Sequence, residues 1–229
     1  MVQPRAIQNF NTMDTTPLTP LDANPFDARA RQWDDNPVFL ERGLKIAEAV
    51  RRAVPLHKEM NALDYGCGTG LLSFPLKDEL GTMLLADSSS GMLEVVTEKI
   101  IAQGVTHMTA MKLDLLTDPV PTQKFDLIVT AMTLHHVPDT DYILHVFHDL
   151  LSPGGYLCIA DLDQEDGSFH GPEVDVHHGF DQVDLGRRTA QAGFIEIQFE
   201  TVFTITKERG TGTQSYPVFL LVAQHTQRT

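Results

Sequence analysis

Apolar positions along the chain recur with two periods. From Pro37 the stretch "PVFLERGLKIAEAVRRAV" sets Phe39, Leu40, Leu44, Ala47 and Val50 at three- and four-residue spacings, which predicts an amphipathic helix with those residues inward. Asn36 and Pro37 supply its N-cap and first-turn signals, and Pro55 follows its end. Beyond it, short apolar runs at 61–65, 83–86, 107–113, 125–130, 156–160, 194–204 and 218–224 read as strands. Helical patterns fit 70–79, 91–102, 142–150 and 181–192 between them. Strands alternating with helices predict an α/β fold, doubly wound, with a mostly parallel sheet. The last two runs are joined by "KERGTGTQSYP", too short for a crossover helix, so they are expected to pair antiparallel as a terminal hairpin.

Length and charge narrow this picture. A chain of 229 residues suits one well-buried domain rather than two. Residues 1–24 are rich in Pro, Thr and Asn without apolar periodicity and read as a flexible tail, leaving 25–229 as the domain and 25–58 as an N-terminal helical cap. The formal net charge of −14 argues against a nucleic-acid partner, which needs clustered Lys and Arg. No apolar run reaches the roughly 18 residues of a membrane span, and the N-terminus has no signal-peptide core. Cys67 and Cys158 both lie in apolar, strand-like surroundings, which fits a reduced cytoplasmic protein better than a disulfide scaffold. Monomer and homodimer are equally compatible with these patterns.

The chemistry centres on "LDYGCGTG", residues 63–70, directly after the first strand. Gly66, Gly68 and Gly70 allow a tight turn and close approach of the backbone to a ligand. A dinucleotide turn spaces its glycines G-x-G-x-x-G to seat a pyrophosphate. Here the order is Asp64-x-Gly66-x-Gly68-x-Gly70, and an acid in the turn suits a ligand bearing an ammonium group. Asp87 ends the next strand, 17 residues past Gly70, where a carboxylate can accept from both hydroxyls of a ribose; "DSSSGM" could also start a helix, the less favoured reading. Asp114 follows the third strand and could accept from an adenine amine, with Leu115 lining the ring and Met92 packing on it.

Taken together, Asp64 to Gly70, Asp87, Asp114, "FDLIVTAMTLHHVPD" and "LSPGGYLCIAD" resemble a class I S-adenosylmethionine-dependent methyltransferase. The resemblance covers about residues 26–224, with the motifs in order, and is strongest to the small-molecule group that includes the ubiquinone- and menaquinone-pathway enzymes. It implies a Rossmann-like, seven-stranded sheet with its last strand antiparallel, and S-adenosyl-L-methionine as the cofactor. It further implies that the Gly66–Gly70 turn, with Tyr65, holds the methionine moiety with Asp64 at its ammonium. Asp87 and Ser88 would hold the ribose, Asp114 the adenine amine, and the backbone of Thr130 and Ala131 would complete the pocket. The acceptor is expected to be a small molecule. A non-catalytic module binding S-adenosylmethionine or its demethylated product would keep the same acids; a nicotinamide-dependent oxidoreductase is disfavoured by the glycine spacing.

Candidate catalytic residues are histidines. His135, in the pair His135-His136 after the fourth strand, is a candidate base. The segment 161–184, after the fifth strand, has eight acids, three histidines and no Lys or Arg. Its part at 162–184 is expected to form an acidic lid over the substrate site, with His170, His177 or His178 facing the acceptor; a solvated acidic loop is the plainer reading. The acidity weakly favours a neutral or cationic acceptor. No metal is expected, because no H-x-x-x-H spacing appears, and the magnesium carboxylate of some O-methyltransferases would fall near Met132 or Thr133, neither an acid. Upstream, "FDARARQWDDNP" resembles the entry segment of the same group, so that Phe26, Arg29 and Trp33 could fold over the cofactor; an amphipathic helix facing inward with Phe26, Ala30 and Trp33 is the alternative.

Overall fold

The computed structural model describes residues 24–209 and 212–226. Nearly all of the segment expected as a flexible tail lies outside the described residues. A 3-10 helix at Asp27–Asp35 precedes α1, Pro37–Ala53. The strands are β1 Asn61–Tyr65, β2 Thr82–Asp87, β3 Met108–Lys112, β4 Phe125–Ala131, β5 Leu151–Leu162, β6 Phe194–Arg209 and β7 Gly212–His225. Between them lie α2 Ser73–Leu76, α3 Ser90–Ala102, α4 Thr140–Leu150 and α5 Gln182–Gln191, with a short 3-10 turn at Leu134–His136.

Among the described residues the strands form one seven-stranded sheet in the order β3-β2-β1-β4-β5-β7-β6. β1 to β5 pair in parallel, while β7 runs antiparallel to both β5 and β6. This is the doubly wound α/β fold with a C-terminal hairpin. The sheet buries one apolar cluster on each face: Ile46, Leu76, Leu85 and Val96 on the side of α1 and α3, and Phe125, Leu144, Phe147 and Leu185 on the side of α4 and α5. No helix among the described residues is long and apolar enough to cross a membrane.

Three local differences from the sequence expectation have physical causes. The helix expected over 70–79 is a single turn, α2, with Pro75 inside a segment that cannot extend its hydrogen-bond ladder. The segment expected to link the last strands is mostly strand itself, because β6 and β7 pair as far as Arg209 opposite Gly212. Asn36 does cap α1, accepting from the Val38 N–H at 3.0 Å, but the buried face is rotated. Arg42, Gly43, Ile46, Ala47, Ala49 and Val50 face inward, while Leu40 and Leu44 are 41% and 52% exposed. The rotation turns Arg42 toward the C-terminal edge of the sheet.

Candidate functional site

β1 and β4 are neighbours in the sheet, although the chain leaves β1 toward β2 and β3. This is the switch in strand order where α/β sheets open a crevice. A cleft of about 1140 Å³, counted to its open mouth, lies there at the carboxyl ends of the strands. Its walls come from the glycine turn, the ends of β2 and β4, the loop after β3, and the N-terminal segment.

Asp64 lines the cleft and is 1% exposed. Burial pushes its pKa up to about 7, with the Ser73 hydrogen bond opposing and the Asp87 charge adding. Ser73 Oγ donates to its Oδ2 at 2.6 Å. The turn that follows is clamped to β2: the N–H groups of Gly66 and Cys67 donate to the Ala86 carbonyl at 2.8 and 3.0 Å. Gly66 has φ +72°, and a Cβ there would lie 2.3 Å from the Thr133 side chain, so only glycine fits. Asp87 Oδ2 accepts the Gly68 N–H at 2.8 Å and Oδ1 accepts the Ser89 N–H at 2.8 Å. One carboxylate thus joins the glycine turn to the start of α3 while facing the cleft, and burial raises its pKa despite those bonds.

Tyr65, Gly66, Gly68, Ser88, Met92, Asp114 and Ala131 also line the cleft. Gly70, Leu115 and Thr130 are not among the lining residues. Gly70 is a packing glycine, since a Cβ there would press on Phe74 and Val96 at 2.9 and 3.0 Å. Leu115 is fully buried in the core on the α4 side, and its N–H donates to Tyr65 Oη at 3.3 Å. A turn closed by the Thr117 and Asp118 N–H groups on the Asp114 carbonyl re-aims the chain, and Leu116 takes the wall position. Thr130 is turned into the sheet by the two-residue alternation of β4 and is 2% exposed, with its hydroxyl lacking a partner. The next residue but one, Met132, holds φ +56° at the cleft wall.

The N-terminal segment closes over this cleft. Asp27 Oδ1 accepts from Ser89 Oγ at 2.6 Å and from the Gly91 N–H at 2.9 Å. Asp34 accepts from Thr69 Oγ1 at 2.5 Å and pairs with Lys99 Nζ at 2.8 Å. Phe26, Trp33 and Phe39 line the cleft, with the Trp33 and Phe39 rings 4.7 Å apart. Arg29 is exposed, its guanidinium 5.0 Å from the Trp33 ring, and is not in the wall.

Sequence reasoning missed Arg42. It lines the cleft at 9% exposure and stacks 4.9 Å from the Phe39 ring. No ion pair among the described residues engages it; burial lowers its pKa to about 10, against the more distant charge of Asp161. A charge inside a three- and four-residue apolar pattern was the available signal.

The histidines separate. His135 is 1% exposed, and its Nδ1 lies 2.6 Å from Asp161 Oδ1. His136 lines the cleft and packs against Phe26 at 5.2 Å; burial, with His135 and His170 adding, lowers its pKa to about 3. His170 joins them, its ring 5.0 Å from that of His135. His178 is exposed and packs beside Gly167, away from the cleft, so it does not face an acceptor there. His177 pins the loop instead: its N–H donates to the His135 carbonyl at 2.9 Å and its ring donates to the Val137 carbonyl at 3.0 Å.

No acid of 161–184 lines the cleft. Asp161 holds His135, Asp163 accepts from Gln182 at 2.6 Å, Glu165 accepts the Phe169 N–H at 3.0 Å, and Asp181 caps α5. The inferred preference for a neutral or cationic acceptor therefore loses its basis. The acids fold the loop.

A crevice at the strand switch, a glycine turn holding a buried acid, and acids at the ends of the next two strands define a nucleoside-binding α/β domain. The chain belongs to the methyltransferase domain family, whose model matches residues 56–202. An uncharacterised methyltransferase of Schizosaccharomyces pombe is 33% identical over 120 residues, covering 49% of this chain and 42% of that protein. A demethylmenaquinone methyltransferase of Geobacillus kaustophilus is 28% identical over 130 residues, covering 56% of each. The chain thus spans about half the length of these curated relatives. In fold it is similar to a SAM dependent methyltransferase from Aquifex aeolicus, with a TM-score of 0.64 and 22% identity over 86% of this chain and 97% of that one.

Proposed function

We propose that this chain is an S-adenosylmethionine-dependent methyltransferase acting on a small-molecule acceptor. The observation that carries this reading is the set of charged residues lining the cleft: Asp64 before the glycine turn, Asp87 at the end of β2, Asp114 just after β3, and Arg42 on α1. An amino-acid moiety presents an ammonium and a carboxylate. Asp64 suits the first and Arg42 the second; each is buried without an ion-pair partner among the described residues, and burial disfavours the charged form of both. Asp87 suits the ribose and Asp114 the adenine amine, with Met92 and Leu116 beside the ring. Phe26, Trp33 and Phe39 leave an apolar space for the acceptor and exclude water from it.

When bound, S-adenosylmethionine supplies an electrophilic methyl group on a sulfonium, and the protein contributes alignment and a suitable electrostatic pocket. The aromatic cover, closed by Asp27 and Asp34, orients the acceptor. The relatives named above support the same chemistry, and the spacing Gly66-x-Gly68-x-Gly70, unlike G-x-G-x-x-G, speaks against a dinucleotide. A location in the cytoplasm accords with the two unpaired cysteines.

Calorimetric titration with S-adenosylmethionine, S-adenosylhomocysteine and a nicotinamide dinucleotide tests the reading. The first two are expected to bind one per chain; binding of the dinucleotide alone would overturn it. A screen of phenols, amines, thiols and carbon acids, read by release of S-adenosylhomocysteine, then separates an enzyme from a binding module.

A further inference from the structure

None of the residues assigned to the cofactor belongs to the three-histidine cluster. His135 and His136 come from the turn after β4 and His170 from the loop after β5. One ring nitrogen of each lies within 4.8 Å of the others. The ring centroids are 4.1, 5.0 and 5.3 Å apart. From the geometry we propose that His135, His136 and His170 form a binding site for one divalent transition ion of the zinc class, open toward the acceptor side of the cleft.

Three independent features carry this. First, Asp161 Oδ1 holds His135 Nδ1 at 2.6 Å, and its Oδ2 accepts the His135 backbone N–H at 3.1 Å. A carboxylate behind one imidazole nitrogen fixes the tautomer and leaves the other nitrogen's lone pair available, the arrangement that supports metal-bound histidines. Second, His170 Nε2 is buried without a hydrogen-bond partner. Buried ring nitrogens are ordinarily satisfied, and an ion would supply the missing contact. Third, the loop carrying His170 is tied to the turn carrying the other two by His177, through the His135 and Val137 carbonyls, so the set is held together without an ion.

Three imidazoles and no carboxylate in the set favour zinc, or a neighbouring transition ion, over magnesium or calcium. Three protein ligands leave a fourth tetrahedral position, as catalytic rather than structural zinc sites do. His136 lines the cleft, so an ion held by the set would lie at its wall. An acceptor hydroxyl or thiol taken as fourth ligand would lose its proton to solvent more readily, which supplies the activation that the rest of the site lacks. This last step rests on the methyltransferase reading; the ion site does not.

The test uses the full chain stripped of metal with a chelator and titrated with cobalt(II) chloride, then zinc chloride, without cofactor. Cobalt(II) is expected to bind one per chain with the visible bands of a tetrahedral nitrogen site, and zinc is expected to displace it and raise the melting temperature. His170→Gln and His136→Gln, with folding verified by circular dichroism, are each expected to lower the affinity by roughly tenfold or more, and Asp161→Asn by about tenfold or more through His135. No stoichiometric binding by the folded wild-type chain, or binding that survives both His→Gln substitutions, overturns the proposal. Because no cofactor is present, the outcome is independent of whether the chain binds S-adenosylmethionine.

Discussion

Asp161 and His135 meet at 2.6 Å with side chains 0% and 1% exposed, the only described acid–histidine contact buried on both sides. Asp161 is next to last in β5, beside the turn that follows β4, and it also accepts the His135 and Leu162 N–H groups. Burial by itself would raise its pKa, but the charge and hydrogen bonds of His135 outweigh that and hold it below the usual carboxylate value. Removing the carboxylate strands a buried imidazole. Asp161→Ala is expected to cost about 3 kcal/mol or more, read by urea unfolding. Because the folded value is depressed, the stabilisation is present above the unfolded value of 3.8 and is lost as pH falls through the folded value.

Asp64 behaves oppositely. Its folded pKa of about 7 lies above the ordinary carboxylate value of 3.8, so between those values the folded chain keeps a proton that the unfolded chain has released. Its penalty therefore grows as pH rises and is complete above about 7. Asp64→Asn is expected to be more stable than wild type at pH 8, with a ceiling on the order of 4 kcal/mol, and the gap should close near pH 4. The same substitution is expected to abolish cofactor binding by calorimetry. In the wild type, affinity should weaken toward about tenfold per pH unit below 7, as Asp64 must lose its proton to meet an ammonium.

Leu115 and Leu116 are sequence neighbours on opposite sides of the wall. Leu115→Ala is expected to cost about 2–5 kcal/mol in unfolding experiments, as a cavity in a closed core. Its effect on cofactor affinity should be small. Leu116→Ala should reverse the pattern, with little loss of stability and a several-fold weaker cofactor affinity by titration.

Asp87 has two tasks, and they can be separated. Asp87→Asn can keep one backbone N–H bond but not the carboxylate, and is expected to weaken cofactor binding at least about tenfold. Asp87→Ala also frees the Gly68 and Ser89 N–H groups and should lower the melting temperature further. Equal melting temperatures for the two variants would show that the bonds to the turn contribute nothing.

Trp33 is the only tryptophan in the chain and lines the cleft, so its fluorescence reports on occupancy. Trp33→Ala is expected to weaken cofactor binding at least several-fold. In the wild type, the emission should shift on titration with S-adenosylhomocysteine.

Periodicity and turn chemistry together determined the fold of this chain, its strand directions and the acids Asp64, Asp87 and Asp114, because these follow from local rules that neighbouring residues obey. Hairpin pairing of the last strands was legible for the same reason: a short link leaves no other topology. Which of two adjacent residues faces the cleft was not legible at Leu115 and Leu116, since a turn re-aims side chains without changing the apolar pattern. Arg42 was hidden because an apolar stripe is averaged over a helix, whereas its rotation is set by packing against the sheet. The histidine cluster joins His135 and His136 to His170, 34 or more positions away, and no spacing rule covers groups brought together by a loop that His177 pins. Local sequence thus specified the scaffold and the acids that line the cleft, while long-range packing decided which other side chains share it, because burial and ring contacts depend on elements distant in the chain.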